Sequence, residues 1–398
     1  MSFNKLFTPV LSLALLVCCS KSDSVAPAAI PVLSIQDVTQ TRTKTDGSMR
    51  FYFNLGKKNS TDVSVDYTTA NGSAISPDVF TSAFGTLTIP ANTTSAYVDI
   101  AIKGDPTDLR QPNLVFSIQL SNPVGCTLGV TSALGTIVTE DGSYLPTDNT
   151  GYSTPSSYPG YSLAWSNEFS ESGLDFGVWG AEIGNGSNGW GNKELEYYTN
   201  STKNLFLSNG NLIIEARKES INGFNYSSAR INTGNKKTFT YGRIDIRAKL
   251  PVSTGMWPAL WMLGTNIGSV GWPACGEIDI MELVGSYPNR ITGTMHWALS
   301  GSGADVYKNA NYTLPTQDFS AQFHVFSIVW QQDAIKWYVD DQLYLSTTKA
   351  DVGTANYPFN ADQFFIFNVA VGGNWPGPPD NTTIFPQRMF VDYVRVFQ

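Results

Sequence analysis

Histidine and cysteine are scarce in this 398-residue chain: His296 and His324 are its only imidazoles, and Cys18, Cys19, Cys126 and Cys275 its only thiols. A zinc site built from several histidines, or a ribbon of paired cysteines, needs more ligands than that. A serine–histidine–acid triad would find two candidate bases in the whole sequence. Basic residues are also short, with 25 Lys+Arg against 33 Asp+Glu and a formal charge of -8. That balance argues against a nucleic-acid partner, whose phosphates require a basic face. Helical periodicity is missing too, since no long stretch places apolar residues at i, i+3 and i+4. For acid–base catalysis, carboxylates are the groups that remain.

What is present is apolar and rich in turns. Hydrophobic residues make up 42% and aromatics 13%, with 15% charged, 35 glycines and 21 prolines. This composition predicts an all-β chain of short strands, with enough apolar residues for two cores. At one domain per ~100–200 residues, two domains are the default. Residues 141–160, DGSYLPTDNTGYSTPSSYPG, read as an exposed linker. All ten tryptophans and both histidines follow it. Residues 30–140 alternate in period two, as in Val63-Ser64-Val65-Asp66-Tyr67, with turn signals such as Asn71-Gly72, and predict a sandwich. Residues 161–398 predict a larger jelly-roll sandwich, in which Phe364–Val371 is apolar enough to be buried on both faces. Cys126 and Cys275 fall on opposite sides of the linker. They read as small buried hydrophobes rather than a disulfide.

The chemistry concentrates in Cys275-Gly276-Glu277-Ile278-Asp279-Ile280-Met281-Glu282-Leu283-Val284-Gly285. Side chains at i and i+2 of a strand share a face, so Glu277 and Asp279 point one way and Ile278 and Ile280 the other. Strict alternation would send Glu282 inward and Met281 out. One extra residue, a β-bulge, returns Glu282 to the acidic face. A solvated edge strand and a calcium-chelating cluster are the competing readings. Crowded carboxylates raise at least one pKa, and glycoside hydrolysis needs one protonated acid beside one charged carboxylate. Retention sets such a pair ~5–5.5 Å apart. Four regular strand steps cover ~13 Å between Cα atoms, so curvature and leaning side chains must close most of that gap.

Three resemblances add to this reading. Lys5, the apolar run Leu6–Val17 and then Cys18-Cys19-Ser20-Lys21 resemble a bacterial lipoprotein signal over residues 1–19. That resemblance implies lipidation at Cys19, with Cys18 the alternative. It places the chain outside the cytoplasm, anchored to a membrane at the outer membrane or cell surface, or secreted. The segments DYTTANGSAISPDVF, GTLTIPANTTSAYVDIAIKGD and FSIQLSNPVGCTLG resemble a Calx-beta domain, an immunoglobulin-like sandwich. After its Gly-Asp turn this copy has one acid, Asp108, where calcium-binding members carry an acidic run. Asp78, Asp105, Glu140 and Asp141 would leave a weak site, and a spacer role is the plainer expectation.

Residues 161–398 resemble glycoside hydrolase family 16, in its laminarinase-like (endo-β-1,3-glucanase) branch. The segments are EIDIME, WSNEF, GWGNKELEYYT, SARINTGNKKTFTYGRIDIRAKLP, GMWPALWMLG, GTMHW, FHVFSIVW, VAVGGNWPG and VDYVRVFQ. The resemblance implies a concanavalin-like jelly roll and a retaining endo-hydrolase acting on β-1,3-glucan, with no catalytic cofactor. Other specificities of the family (mixed-linkage glucan, agarose, carrageenan) and a non-cleaving glucan-binding protein are the alternatives. Glu277 would be the nucleophile, Glu282 the acid/base and Asp279 the residue that tunes the nucleophile.

Trp257 and Trp261, four apart on a strand, share a face and suit the apolar faces of sugar rings. Trp375 sits in a Gly/Pro loop beside the cleft by resemblance. Asn192 and Arg230 would hydrogen-bond sugar hydroxyls, with a salt bridge the competing role for Arg230. His296 would lie near Glu282, with a structural histidine the competing reading. Trp190 and Trp272 are left open between cleft and core. Trp165, Trp330, Trp337 and His324 read as structural. Glu168 and Asp392, with backbone carbonyls near Gly210, would hold a structural calcium. A monomer is expected.

Overall fold

The computed structural model describes residues 29–398 apart from 108, 141 and 143, so the expected signal segment with Cys19 lies outside it. Alternation builds the N-terminal unit. Strand Gly47–Leu55 buries Met49, Phe51, Phe53 and Leu55 and exposes the residues between them. A four-stranded and a five-stranded sheet enclose a separate core that includes Phe51, Phe80, Phe116 and Ile118. Cys126 belongs to that core, and both Cys126 and Cys275 are buried and free.

In the C-terminal unit a seven-stranded sheet lies against a larger one of eleven strands, ten from this unit and one, Leu109–Arg110, from the N-terminal unit. The seven strands run in the order Gly180–Ala181, Arg230–Asn232, Gln363–Val371, Met256–Gly264, Glu277–Leu283, Arg290–Ala298, Asp305–Thr313. Ile278, Ile280, Met281 and Met295 from this sheet share one core with Ile244, Ile246, Phe326, Ile328 and Val394 from the other. Strand Gln363–Val371 is buried along nearly its whole length, because strands flank it on both sides and its faces are covered. Trp330 and Trp337 are fully buried, and His324 is bound to Asp340 at 2.7 Å, 3% exposed.

The linker is not free. Its outer side is exposed, but it forms a strap along the larger sheet. Tyr144 Oη donates to Asn209, Tyr152 Oη to Asp341, and Tyr158 Oη to Asp245. Arg247 donates to the carbonyls of Asn149 and Tyr152 and to Asp392. Arg395 donates to Glu168 and to the carbonyl of Thr154. Composition marks a segment without regular structure; it does not say whether buried arginines reach its carbonyls. One N-terminal strand, Leu109–Arg110, also pairs in parallel with Leu207–Ser208.

These contacts involve the two carboxylates expected to hold calcium. Glu168 forms a two-pronged pair with Arg395, at 2.8 Å for each bond, and Asp392 meets Arg247 at 2.7 Å. Each carboxylate is thus held by its own guanidinium, Glu168 through both oxygens and Asp392 through Oδ2. In the N-terminal unit Asp105 is likewise taken, by Thr107, Gln111 and Arg42.

Candidate active site

The acidic strand carries the expected bulge. Glu277 faces His296, Asp279 faces Thr294 and Glu282 faces Thr292, so three steps on one strand oppose two on the other. On the opposite side Trp261 pairs with Asp279 and Leu260 with Met281, which leaves Ile280 as the inserted residue. Ile280 and Met281 both enter the core, and Glu282 returns to the side of Glu277. The bulge is held from beneath. Trp337, on the opposing sheet, donates its Nε1–H to the carbonyl of Asp279 at 2.8 Å. Gly293 lies opposite the bulge, where a Cβ would come within 2.3 Å of the Tyr344 hydroxyl and 2.8 Å of Trp337. No other residue fits there unless Tyr344 and Trp337 move.

Each reacting carboxylate receives one indole donor. Trp272 Nε1 donates to Glu277 Oε2 at 2.9 Å, and Trp257 Nε1 to Glu282 Oε1 at 3.0 Å. The electrostatics separate the two acids. Burial, then the charge of Glu277, pushes the Glu282 carboxyl up to about 8 despite the Trp257 bond. Burial raises Glu277 as well, but His296, the Trp272 bond and Arg230 pull it back toward the charged form. Asp279 is held well above the usual carboxylate range by burial and by Glu282 and Glu277 on either side. These environments favour the protonated form more at Glu282 and Asp279 than at Glu277.

Trp257, Trp375 and Asn192 come together. The Trp257 and Trp375 rings meet edge to face at 5.5 Å, and Asn374 N donates to Asn192 O at 2.8 Å. Gly372 and Gly373 adopt φ of 73° and 120°, the left-handed region that lets this loop fold over Trp257. Asn192 also donates to Glu194 at 3.2 Å. Trp261 shares the face of Trp257 and donates to Asn368 at 2.8 Å. Arg230 is 9% exposed, ion-paired with Glu182, and lies over both Trp190 at 4.3 Å and Trp261 at 4.9 Å. It is a buried brace between two indoles, so the salt-bridge reading applies, in the interior rather than at the surface. Trp272 is half exposed at the site, and Trp165, partly buried, packs with Trp179 and Phe365 against the core.

His296 corrects the expectation. It stands across from Glu277, with Nε2 3.5 Å from Asp279 Oδ2 and Nδ1 3.0 Å from Asp305. The antiparallel register sets this, since Thr292, not His296, faces Glu282.

The sequence reading missed a buried polar chain behind the cleft. Trp261 bonds Asn368, Asn368 donates to Tyr198 Oη at 3.1 Å, and Tyr198 donates to Glu194 at 2.9 Å. Glu196, fully buried, accepts from Val371 N at 2.6 Å and is pushed well above its usual range by burial and by Glu194. The alternation Glu194-x-Glu196-x-Tyr198, running into the strand Glu196–Tyr198, was the available signal.

A bulged pair of carboxylates with separated proton affinities, set among tryptophans on one face of a β-sandwich, defines a carbohydrate-cleaving hydrolase site. Comparison supports the class: residues 190–395 match the family described as Glycosyl hydrolases family 16, and the chain belongs to that family. It is 40% identical over 274 residues to Glucan endo-1,3-beta-glucosidase A1 of Niallia circulans, covering 62% of this chain and 39% of that protein. It is 41% identical over 250 residues to a Beta-glucanase of Rhodothermus marinus, covering 60% and 86%. Among solved structures it resembles the laminarinase catalytic domain of Thermotoga maritima MSB8, with 50% identity, TM-score 0.56, and coverage of 60% and 98%.

Proposed function

We propose that this chain cleaves β-1,3-linked glucan within the polymer, with retention at the anomeric carbon. The observation that carries the reading is the bulge at Ile280, which sets Glu282 on the face of Glu277 in a different electrostatic environment. Glu277 attacks the anomeric carbon while protonated Glu282 gives its proton to the leaving glycosidic oxygen. A glycosyl ester on Glu277 results. Glu282, now charged, takes a proton from water, whose oxygen attacks the same carbon and releases Glu277. Asp279, neutral between them, avoids a third charge on the face and supports Glu277. Trp257, Trp261 and Trp375 offer flat apolar partners for sugar rings, and none of these steps calls for a cofactor. The β-1,3 linkage rests on the relatives named above, whose printed activities are glucan hydrolysis.

We further propose, from the resemblances over residues 1–19 and 30–140, that the chain is a lipoprotein anchored through Cys19 outside the cytoplasm, with the N-terminal sandwich as a Calx-beta spacer. Replacing Cys19 by Ala and finding the chain still membrane-bound would refute the anchor. For the activity, reducing ends released from laminarin are compared for wild type and Glu277→Ala. Loss in the variant is expected, and equal release would overturn the assignment. Lichenan, agarose and carrageenan in parallel decide the linkage.

A further inference from the structure

The acidic face has a second capacity that glucan cleavage does not use. Glu277, Asp279 and His296 each offer one ligand atom, and these atoms all lie within 4.8 Å of one another. Asp279 is 2% exposed, and its Oδ2 makes no hydrogen bond although it points at His296 Nε2, 3.5 Å away. A buried oxygen with no donor is a group in want of a proton or a cation. On its other side His296 is held by Asp305, with Nδ1 3.0 and 3.2 Å from the two carboxylate oxygens. That contact holds the ring with Nε2 turned toward the acids. Metal-bound histidines are oriented in this way, by an outer carboxylate on the second nitrogen. Trp272 and Tyr307 bracket the imidazole at 6.1 and 5.4 Å between centroids. Trp272 also occupies Glu277 Oε2, which leaves Oε1 for an ion.

One imidazole nitrogen with two carboxylates suits first-row divalent metals, whereas calcium and magnesium favour all-oxygen sets. We propose that Glu277, Asp279 and His296 form a reversible, inhibitory site for a divalent cation of the zinc class, with Asp305 as its outer support. Bonds of ~2.0–2.2 Å require the ligand atoms to draw together. Glu277 and His296 are half-buried, and Asp279, buried, is the fixed ligand. A bound ion takes the Glu277 lone pair needed for attack, so metal and glucan exclude each other.

The test titrates ZnCl2 into the full chain by calorimetry, for wild type, His296→Gln and Asp305→Asn, and follows laminarin hydrolysis with Zn2+ or Mg2+. The expected result is a site in the wild type that vanishes in His296→Gln and weakens about 10–100-fold in Asp305→Asn. Inhibition by Zn2+ should be competitive with laminarin and reversed by chelator, while Mg2+ at equal concentration has no effect. Zinc binding unchanged in both variants, or absent from the wild type up to millimolar concentration, would overturn the proposal. Because binding is read directly, its failure is distinct from failure of the substrate assignment.

Discussion

The two indole donors make a paired prediction. A hydrogen bond to a charged group contributes ~1.5–3 kcal/mol, and one pKa unit corresponds to ~1.36 kcal/mol. Trp257 donates to Glu282 and Trp272 to Glu277, and each bond favours the charged carboxylate. Removing either donor raises the pKa of its own acid. The consequences for rate are different. Glu282 must be protonated to act, and its pKa of about 8 sets the alkaline limit of activity. Trp257→Phe should therefore carry that limb upward by about one to two pH units. Glu277 must be charged to attack, so Trp272→Phe should move the acid limb upward, toward neutrality. Trp272 is 50% exposed, and water partly replaces its bond, so about half to one unit is expected. The assay is kcat/KM on laminarin oligosaccharides between about pH 4 and 10, which reports the free enzyme. Both variants lose stacking surface, which scales the whole profile without moving its limbs. Movement of the same limb by both substitutions, or of neither, would refute the assignment of one donor to each acid.

Three further outcomes follow from the structure. Glu282→Ala should lose about 10²–10⁴ in rate on glucan but far less on an aryl glucoside whose leaving group needs no proton, as steady-state rates would show. Gly293→Ala should cost roughly 1–3 kcal/mol by overpacking against Tyr344 and Trp337 and lower kcat by displacing the bulge; thermal melts and kinetics on one sample read both. Arg247→Ala should destabilise the chain by roughly 2–4 kcal/mol, below the ~3–5 of a fully buried pair because Asp392 keeps some solvent. The freed strap at Asn149–Tyr152 should become a protease site, visible as a new cleavage band.

The pH dependence of stability follows from Glu282. Its pKa in the fold, about 8, lies above the ordinary glutamate value of 4.5. Between those values the folded state holds more protons than the unfolded one, so stability falls as pH rises. Glu282→Gln should flatten that fall in a series of melting temperatures.

The sequence by itself determined the strand-rich architecture, the acidic face and the need for a bulge. Those follow from a period of two, which is local: Ile278, Ile280 and Met281 could not all be buried beside Glu277, Asp279 and Glu282 unless one residue were inserted. Tertiary structure decided the partners. His296 serves Asp279 and Asp305 because the register of two antiparallel strands, and not their composition, sets which side chains oppose. Glu168 and Asp392 close on Arg395 and Arg247 because arginines from other strands reach them first, and the same arginines turn a linker-like composition into an anchored strap. Arg230, Asn368 and Tyr198 acquire roles behind the cleft from neighbours more than one hundred residues distant in the case of Asn368. Contacts at such separations depend on how sheets pack, and no local spacing encodes them.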